Sequence, residues 1–288
     1  MAVGEFNALP STLALYSRAL LGSLSGKKGT ELPALELVLR DVKIDRENLA
    51  AYNRVCGFSQ RETLPVTYGF VLAFPLHMSL ITDSSFPFAA MGLVHIQNLI
   101  TQHRPVSASE ILTIIAKPAN LRSHEKGMQF DILTTLVSGN EVVWECVSTM
   151  LRRQAGGAES GKSTSPRKEK SVVSPTAIVQ WNVPGDIGRR YGAIAGDRNP
   201  IHLYAFTAKL FGFPSAIAHG MWSKARCLAA MEGRIPDACK IDVQFKLPVL
   251  LPAKVTFHSE PQGDGSFTFG LNDQRSGKPH LSGSIQTI

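Results

Sequence analysis

VHIQNLITQHRPVSASEI, residues 94–111, can be laid without a gap over IDVQFKLPVLLPAKVTFH, residues 241–258. Gln97 falls on Gln244 and Pro105 on Pro252. Identity is low, so the order of elements around the two stretches carries the reading. Upstream, PVTYGFVLAFPLHMSLIT from Pro65 falls on PSAIAHGMWSKARCLAAM from Pro214, and both read as an apolar, buried helix. Downstream come alternating runs: MQFDILTTLVSG and NEVVWECVSTMLRR in the first half, SFTFGLNDQ and HLSGSIQTI in the second. Their alternation has the period of half-buried strands. The chain is therefore expected to repeat one unit, an apolar helix followed by antiparallel strands.

Between the repeats lies QAGGAESGKSTSPRKEKSVVSP, residues 154–175. It is rich in Gly, Ser, Pro and charge, has no hydrophobic period, and reads as a flexible connection. The expected division is a first half at 1–153 with an N-terminal helical extension, a linker at 154–175, and a second half at 176–288. The extension is LPSTLALYSRALLGSLSG. It lacks a basic n-region and is interrupted by Arg18, so it reads as an amphipathic helix packed on the body rather than a leader.

The halves differ upstream of their helices. IDRENLAAYNRVCGFSQRETLP corresponds to VPGDIGRRYGAIAGDRNPIHLYAFTAKLFGFP, with Tyr52 set against Tyr191 and Gly57 against Gly196. The first half then has Phe58 where the second has Asp197, and it lacks the Asn-Pro-x-His turn. In the second half an Asp and a His stand five apart on either side of a helix start. Asn199 suits the N-cap and Pro200 the first helical position. IHLYAFTAKLFG is expected to continue as a helix stopped by Gly212. His202 then sits in the first turn, where the helix dipole disfavours imidazolium and leaves a neutral base. Such a pair can aim a carboxylate and an imidazole at one water, although Gly-Asp-x-Asn-Pro is also ordinary turn chemistry. FPSAIAHGMWSKARCLAAM, residues 213–231, reads as the second half's buried helix. Gly220 lies near its start, where backbone N–H groups have no intrahelical partner. Its N–H could stabilise an oxyanion; a small residue for helix-to-sheet packing explains the same glycine. His219 reads as a buried, hydrogen-bonded histidine rather than a second base.

GDRNPIH followed by FPSAIAHGM resembles the MaoC-like, (R)-specific enoyl-CoA hydratase family of hotdog-fold proteins. The resemblance covers most of residues 173–288, with Gly196, Asp197, Asn199, Pro200, Ile201 and His202 all in place. It implies that Asp197 and His202 hold the catalytic water, that Gly220 supplies an oxyanion N–H, and that Asn199 supports them. Ala195 departs from a frequent Ser or Thr, and Tyr204 from a common acidic residue. The implied fold class is α+β, two tandem hotdogs forming an internal pseudo-dimer, with a continuous antiparallel sheet wrapped on central helices. One active site per chain is expected, and the space freed by the missing turn in the first half could take a long or bulky acyl chain. The implied activity is reversible hydration of trans-2-enoyl thioesters to (R)-3-hydroxyacyl thioesters in fatty-acid metabolism. No metal or redox cofactor is implied; coenzyme A enters as part of the substrate. The rivals are a hotdog acyl-CoA thioesterase and a non-catalytic acyl-thioester-binding subunit.

Composition narrows the partners. No apolar run in the 288 residues is long enough for a membrane span. The net charge of +7 is partly local, because Arg152, Arg153, Lys162, Arg167, Lys168 and Lys170 cluster in or beside the linker. No nucleic-acid motif accompanies it, and a basic surface suits coenzyme A or an acyl carrier protein equally. Cys56, Cys146, Cys227 and Cys239 are scattered, without metal-ligand spacing. That pattern points to a reducing compartment, the cytoplasm. A C-terminal QTI is not a peroxisomal signal of the S-K-L type. The resemblance also allows a homodimer of double-hotdog chains.

Overall fold

A computed structural model of the chain describes residues 2–6, 12–24, 29–153 and 177–288. The linker expected at 154–175 lies outside the described residues. In the first half the elements are β1 (Ala2–Phe6), α1 (Thr12–Leu24), β2 (Leu35–Lys43), α2 (Arg46–Cys56), α3 (Tyr68–Thr82), β3 (Leu93–Gln102), β4 (Ile111–His124), β5 (Gly127–Ser138) and β6 (Glu141–Arg153). The second half adds β7 (Ala177–Val183), α4 (Ile187–Ala195), α5 (Pro200–Leu203), α6 (Ala205–Lys209), α7 (Gly220–Ala229), β8 (Cys239–Phe245), β9 (Ala253–Pro261), β10 (Phe267–Asp273) and β11 (Pro279–Thr287).

The strands form one sheet in the order β1-β2-β4-β5-β6-β3-β8-β11-β10-β9-β7. Every pair is antiparallel except β1 with β2, which run parallel. The halves join at β3 and β8, where Gln97 pairs with Gln244 and Ile100 with Ile241. The gapless overlay sets Gln97 on Gln244, and the ladder pairs the same two residues. A pseudo-two-fold axis therefore passes between them, and the α+β double hotdog with a shared sheet follows.

Alternation along the strands builds the inner face. Leu112, Ile114 and Ala116 of β4 are buried, as are Val255, Phe257 and Ser259 of β9. The core they line is filled by α3, which buries side chains around most of its circumference, from Tyr68 to Ile81. A helix apolar on all sides belongs in the interior. α3 packs against β2, β4 and β5, and α7 against β10. α1 packs on α3 through an edge that buries Leu15 and Ala19, as its amphipathic reading requires. No helix among the described residues is long and apolar enough to cross a membrane.

The upstream segments set against each other in the overlay each form a helix. α2 ends at Gly57 with φ 86° and α4 at Gly196 with φ 76°, both left-handed C-caps. Tyr52 and Tyr191 approach each other with ring centroids 6.1 Å apart.

Two helices differ from expectation. The helix expected over residues 201–211 is broken at Tyr204, whose backbone is extended. The carbonyls that would continue it are taken by other donors: Pro200 O by the Thr207 hydroxyl, Ile201 O by the Ile217 N–H, and Leu203 O by Arg189. The helix expected over 213–231 begins only at Gly220. Residues 216–218 instead pair with the loop before β9, through Ala218 N–H to Val249 O and Leu251 N–H to Ala216 O. Strands β1, β2 and β7 were not anticipated; β1 and β7 are the two edges of the sheet.

Candidate active site

The site is built where three second-half pieces meet: the turn after α4, the single turn α5, and the start of α7. The turn lies directly on α4. A Cβ at Gly188 would stand 2.0 Å from His202 O, and one at Gly192 would stand 2.5 Å from Asp197 O. Only hydrogen fits at either place, so two glycines one turn apart let the Asp-to-His segment seat on the helix.

Asn199 caps α5 as expected, its side chain accepting the Ile201 N–H at 3.4 Å. Its backbone contributes more. The Asn199 N–H donates to Asp197 Oδ1 at 3.2 Å, and the Asn199 carbonyl accepts the His202 N–H at 3.0 Å. This one residue thus ties the carboxylate to the imidazole. Asp197 presents its side chain partly open to the cavity, 25% exposed, while His202 is buried.

His202 Nδ1 lies 2.8 Å from the Ile217 carbonyl. A carbonyl only accepts, so Nδ1 carries the proton and Nε2 is left as a bare lone pair. Burial lowers the His202 pKa, against the opposing pull of Asp197 and the Ile217 carbonyl. The same logic fixes His219. Its Nε2 donates to the Asp197 carbonyl at 3.0 Å, while its Nδ1 finds no partner among the described residues. Burial first, and His202 second, hold its pKa at about 3. The two imidazoles stack with centroids 3.7 Å apart, a contact that suits neutral rings.

For Asp197, burial pushes the pKa up. The imidazoles of His219 and His202, the Asn199 N–H and the Tyr16 hydroxyl outweigh it, and the carboxyl ends below its ordinary value. With both rings neutral near pH 7, the N–H and O–H donors sustain the charge there. The ligand-capable atoms of Asp197, His202 and His219 lie within 4.8 Å of one another. Because His219 Nε2–H is committed to a carbonyl, the group is better suited to holding a water than a cation.

Gly220 is the first residue of α7, with His219 at the N-cap. Among the described residues no protein acceptor meets its N–H, which is thus free to serve a ligand. Asp197, His202 and Gly220 all line one cavity of about 640 Å³. From them it extends into the first half, along Phe70, Phe74, Met78 and Ile81 of α3. So the sequence-derived residues converge on one cavity wall, and His219 is buried and hydrogen-bonded as read.

Two neighbours escaped the sequence reading as site residues. Tyr16 of α1 hydrogen-bonds Asp197 at 3.0 Å. Tyr191 of α4 packs its ring 4.9 Å from that of His219, with its hydroxyl unpartnered among the described residues. Tyr191 could have been inferred from its place in the motif. Tyr16 is 181 residues from its partner and carries no local signal.

Comparison with known proteins bears on the family and the fold. The MaoC like domain family matches residues 162–282. The chain is 41% identical over 280 residues to 3-hydroxyacyl-thioester dehydratase X of Mycobacterium tuberculosis, covering 97% of this chain and 99% of that protein. The crystal structure of HtdX from the same organism superposes with a TM-score of 0.77 at 38% identity, over 88% of this chain and 100% of the other. A MaoC-like dehydratase from Phytophthora capsici shares the fold, with a TM-score of 0.68 at 20% identity over 88% of this chain and 95% of that one.

Proposed function

The chain belongs to the MaoC-like dehydratase family, and we propose that its half at 176–288 holds the single catalytic centre, with Asp197 and His202 acting on one water. It is a hydro-lyase of fatty-acid metabolism that dehydrates 3-hydroxyacyl thioesters reversibly. In the hydration direction the water oxygen bonds to the β carbon of a trans-2-enoyl thioester. One member of the pair takes a water proton, and the pair returns a proton to the α carbon. The double-bond electrons pass to the thioester oxygen, whose charge is met by the Gly220 N–H. Such a donor typically contributes about 2.7–4 kcal/mol to lowering the barrier. The product is the (R) enantiomer, as the family resemblance implies. The chemistry calls for no redox group or metal, and coenzyme A or an acyl carrier protein enters with the substrate.

The observation that carries this reading is the bare Nε2 of a neutral His202 beside an ionised Asp197 in a cavity that also holds the free Gly220 N–H. The cavity's extension along α3 supports the degenerate half at 1–153 as the source of room for the acyl chain. Four buried, free cysteines support a reducing compartment, the cytoplasm.

The test follows loss of the conjugated enoyl thioester with short, long and branched substrates. Wild type should turn over all three classes. Asp197→Asn and His202→Ala should each fall by roughly 10²-fold or more. Full activity in both variants would remove the assignment, and free acid as the main product would make the protein a thioesterase. A sharp stop at four-carbon substrates would show that the first half does not house the chain.

A further inference from the structure

α1 lies outside the repeated unit, as an extension of the first half, yet it brings a hydroxyl to the centre of the site. Tyr16 Oη stands 3.0 Å from Asp197 Oδ1 and 2.7 Å from the Arg198 backbone nitrogen. A backbone N–H can only donate, so Tyr16 accepts from Arg198 and its own proton is directed to the carboxylate. Burial, and then the adjoining carboxylate, push the Tyr16 pKa far above its ordinary value, so the hydroxyl stays a donor. Oδ1 also receives the Asn199 N–H at 3.2 Å. Oδ2 is left without a hydrogen bond from the described residues and stands 3.7 Å from His219 Nε2.

We propose that Tyr16 is a positioning residue for the dehydration: it occupies Oδ1 of Asp197, fixes the orientation of that carboxylate, and turns Oδ2 to the water. The inference rests on the reading of Asp197 as half of the catalytic pair. Its consequence is that the N-terminal helix completes the catalytic centre of the distant half. A packing role for α1 alone would require only its buried Leu15 and Ala19.

The titratable groups that bear on Asp197 are Tyr16 from α1, His95 from β3, Tyr191 from α4, His202 from α5 and His219 before α7. The charged Arg198 is on the same turn. Burial lowers His95 to about 4 and His219 to about 3, lowers His202, and raises both tyrosines. Removing the Tyr16 donor stabilises the ionised carboxyl less, so the Asp197 pKa must rise. The titration of the Asp197 carboxyl, followed by carbon NMR, should then move to higher pH.

The experiment compares full-length Tyr16→Phe, Asp197→Asn and the double variant. Tyr16→Phe should lower kcat by about tenfold or more, the scale of one hydrogen bond to a charged group. KM should change by less than about twofold, and the Asp197 carboxyl titration should rise by about one pH unit. In the Asp197→Asn background the same change should cost less than about twofold, because its target is gone. A wild-type kcat in Tyr16→Phe, or a loss with an unmoved Asp197 titration, overturns the proposal. So does an undiminished loss in the double variant. If Asp197→Asn itself remains active, the underlying reading fails instead.

Discussion

A carbonyl oxygen cannot donate a proton, and that fact sets the state of His202. Its Nδ1 faces the Ile217 carbonyl, so only Nε2 is free to accept from a water. Burial reinforces the arrangement by lowering the pKa of the ring. The sign of the resulting pH dependence follows. A lowered pKa means the neutral, base-competent form survives to lower pH than a free histidine allows. Asp197, also lowered, stays ionised over the same range. We therefore expect kcat to remain level from pH 7 down through about 6.5, the ordinary histidine value, and to fall only below it. A kcat profile with an acid limb at or above about 6.5 would contradict the assigned tautomer and environment.

At the level of elements, the decisive piece is the single turn α5, which is too short to stand on its own propensity. It is held from outside by Thr207, Ile217 and Arg189, and from inside by Asn199. The Asn199 side chain makes a long cap at 3.4 Å, whereas the backbone of the same residue makes the closer links to Asp197 and His202. Asn199→Ala should thus cost about 1 kcal/mol of stability, the usual worth of a cap. It should lower kcat far less than Asp197→Asn does; equal losses would mean the side chain itself touches the reacting groups. The same turn marks where sequence was legible and where it was not. The N-cap, the Pro and the match of Gly196 to Gly57 are local signals, and all stand where they were read. The break at Tyr204 depends on carbonyls captured by residues on other elements, and no periodicity shows that. Tyr16 is the extreme case, since an amphipathic run foretells a packed helix but not which hydroxyl it delivers to a site across the fold. The late start of α7 has the same origin: residues 216–218 are apolar enough for a helix, but their backbone pairs with the loop before β9.

Over the whole molecule, the pseudo-two-fold relation is kept in the backbone and broken in the side chains. Phe58 is buried in the first half where the second places Asp197. At the joint, Gln97 donates to both oxygens of Asp242, whose overlay counterpart is His95. The strongest tie across the joint is also one-sided. Lys224 of α7 is fully buried and donates to Asn98 O at 2.9 Å, Asn98 Oδ1 at 2.7 Å and Ile241 O at 3.1 Å. It thereby fastens one helix to β3 of the first half and β8 of the second. Among the described residues no carboxylate pairs with it directly, and burial lowers its pKa from 10.5 to about 7. Between those values the unfolded chain holds a proton that the folded chain has released, so this group makes stability rise with pH from about 7 upward. Below about 7 the ammonium is charged in both states, and its burial carries the full desolvation cost. Lys224→Met removes that dependence while keeping the length of the side chain, and it leaves Asn98 Oδ1 without this donor. Comparing urea midpoints of the two proteins at pH 7 and pH 9 isolates the lysine, because every other titrating group is common to both. Wild type should gain on the variant by about 2 kcal/mol between the two values, since each unit of pH inside the window is worth about 1.4 kcal/mol. If the two midpoints instead move in parallel, Lys224 is not the buried proton switch at the joint, and its three carbonyl contacts act as neutral packing would.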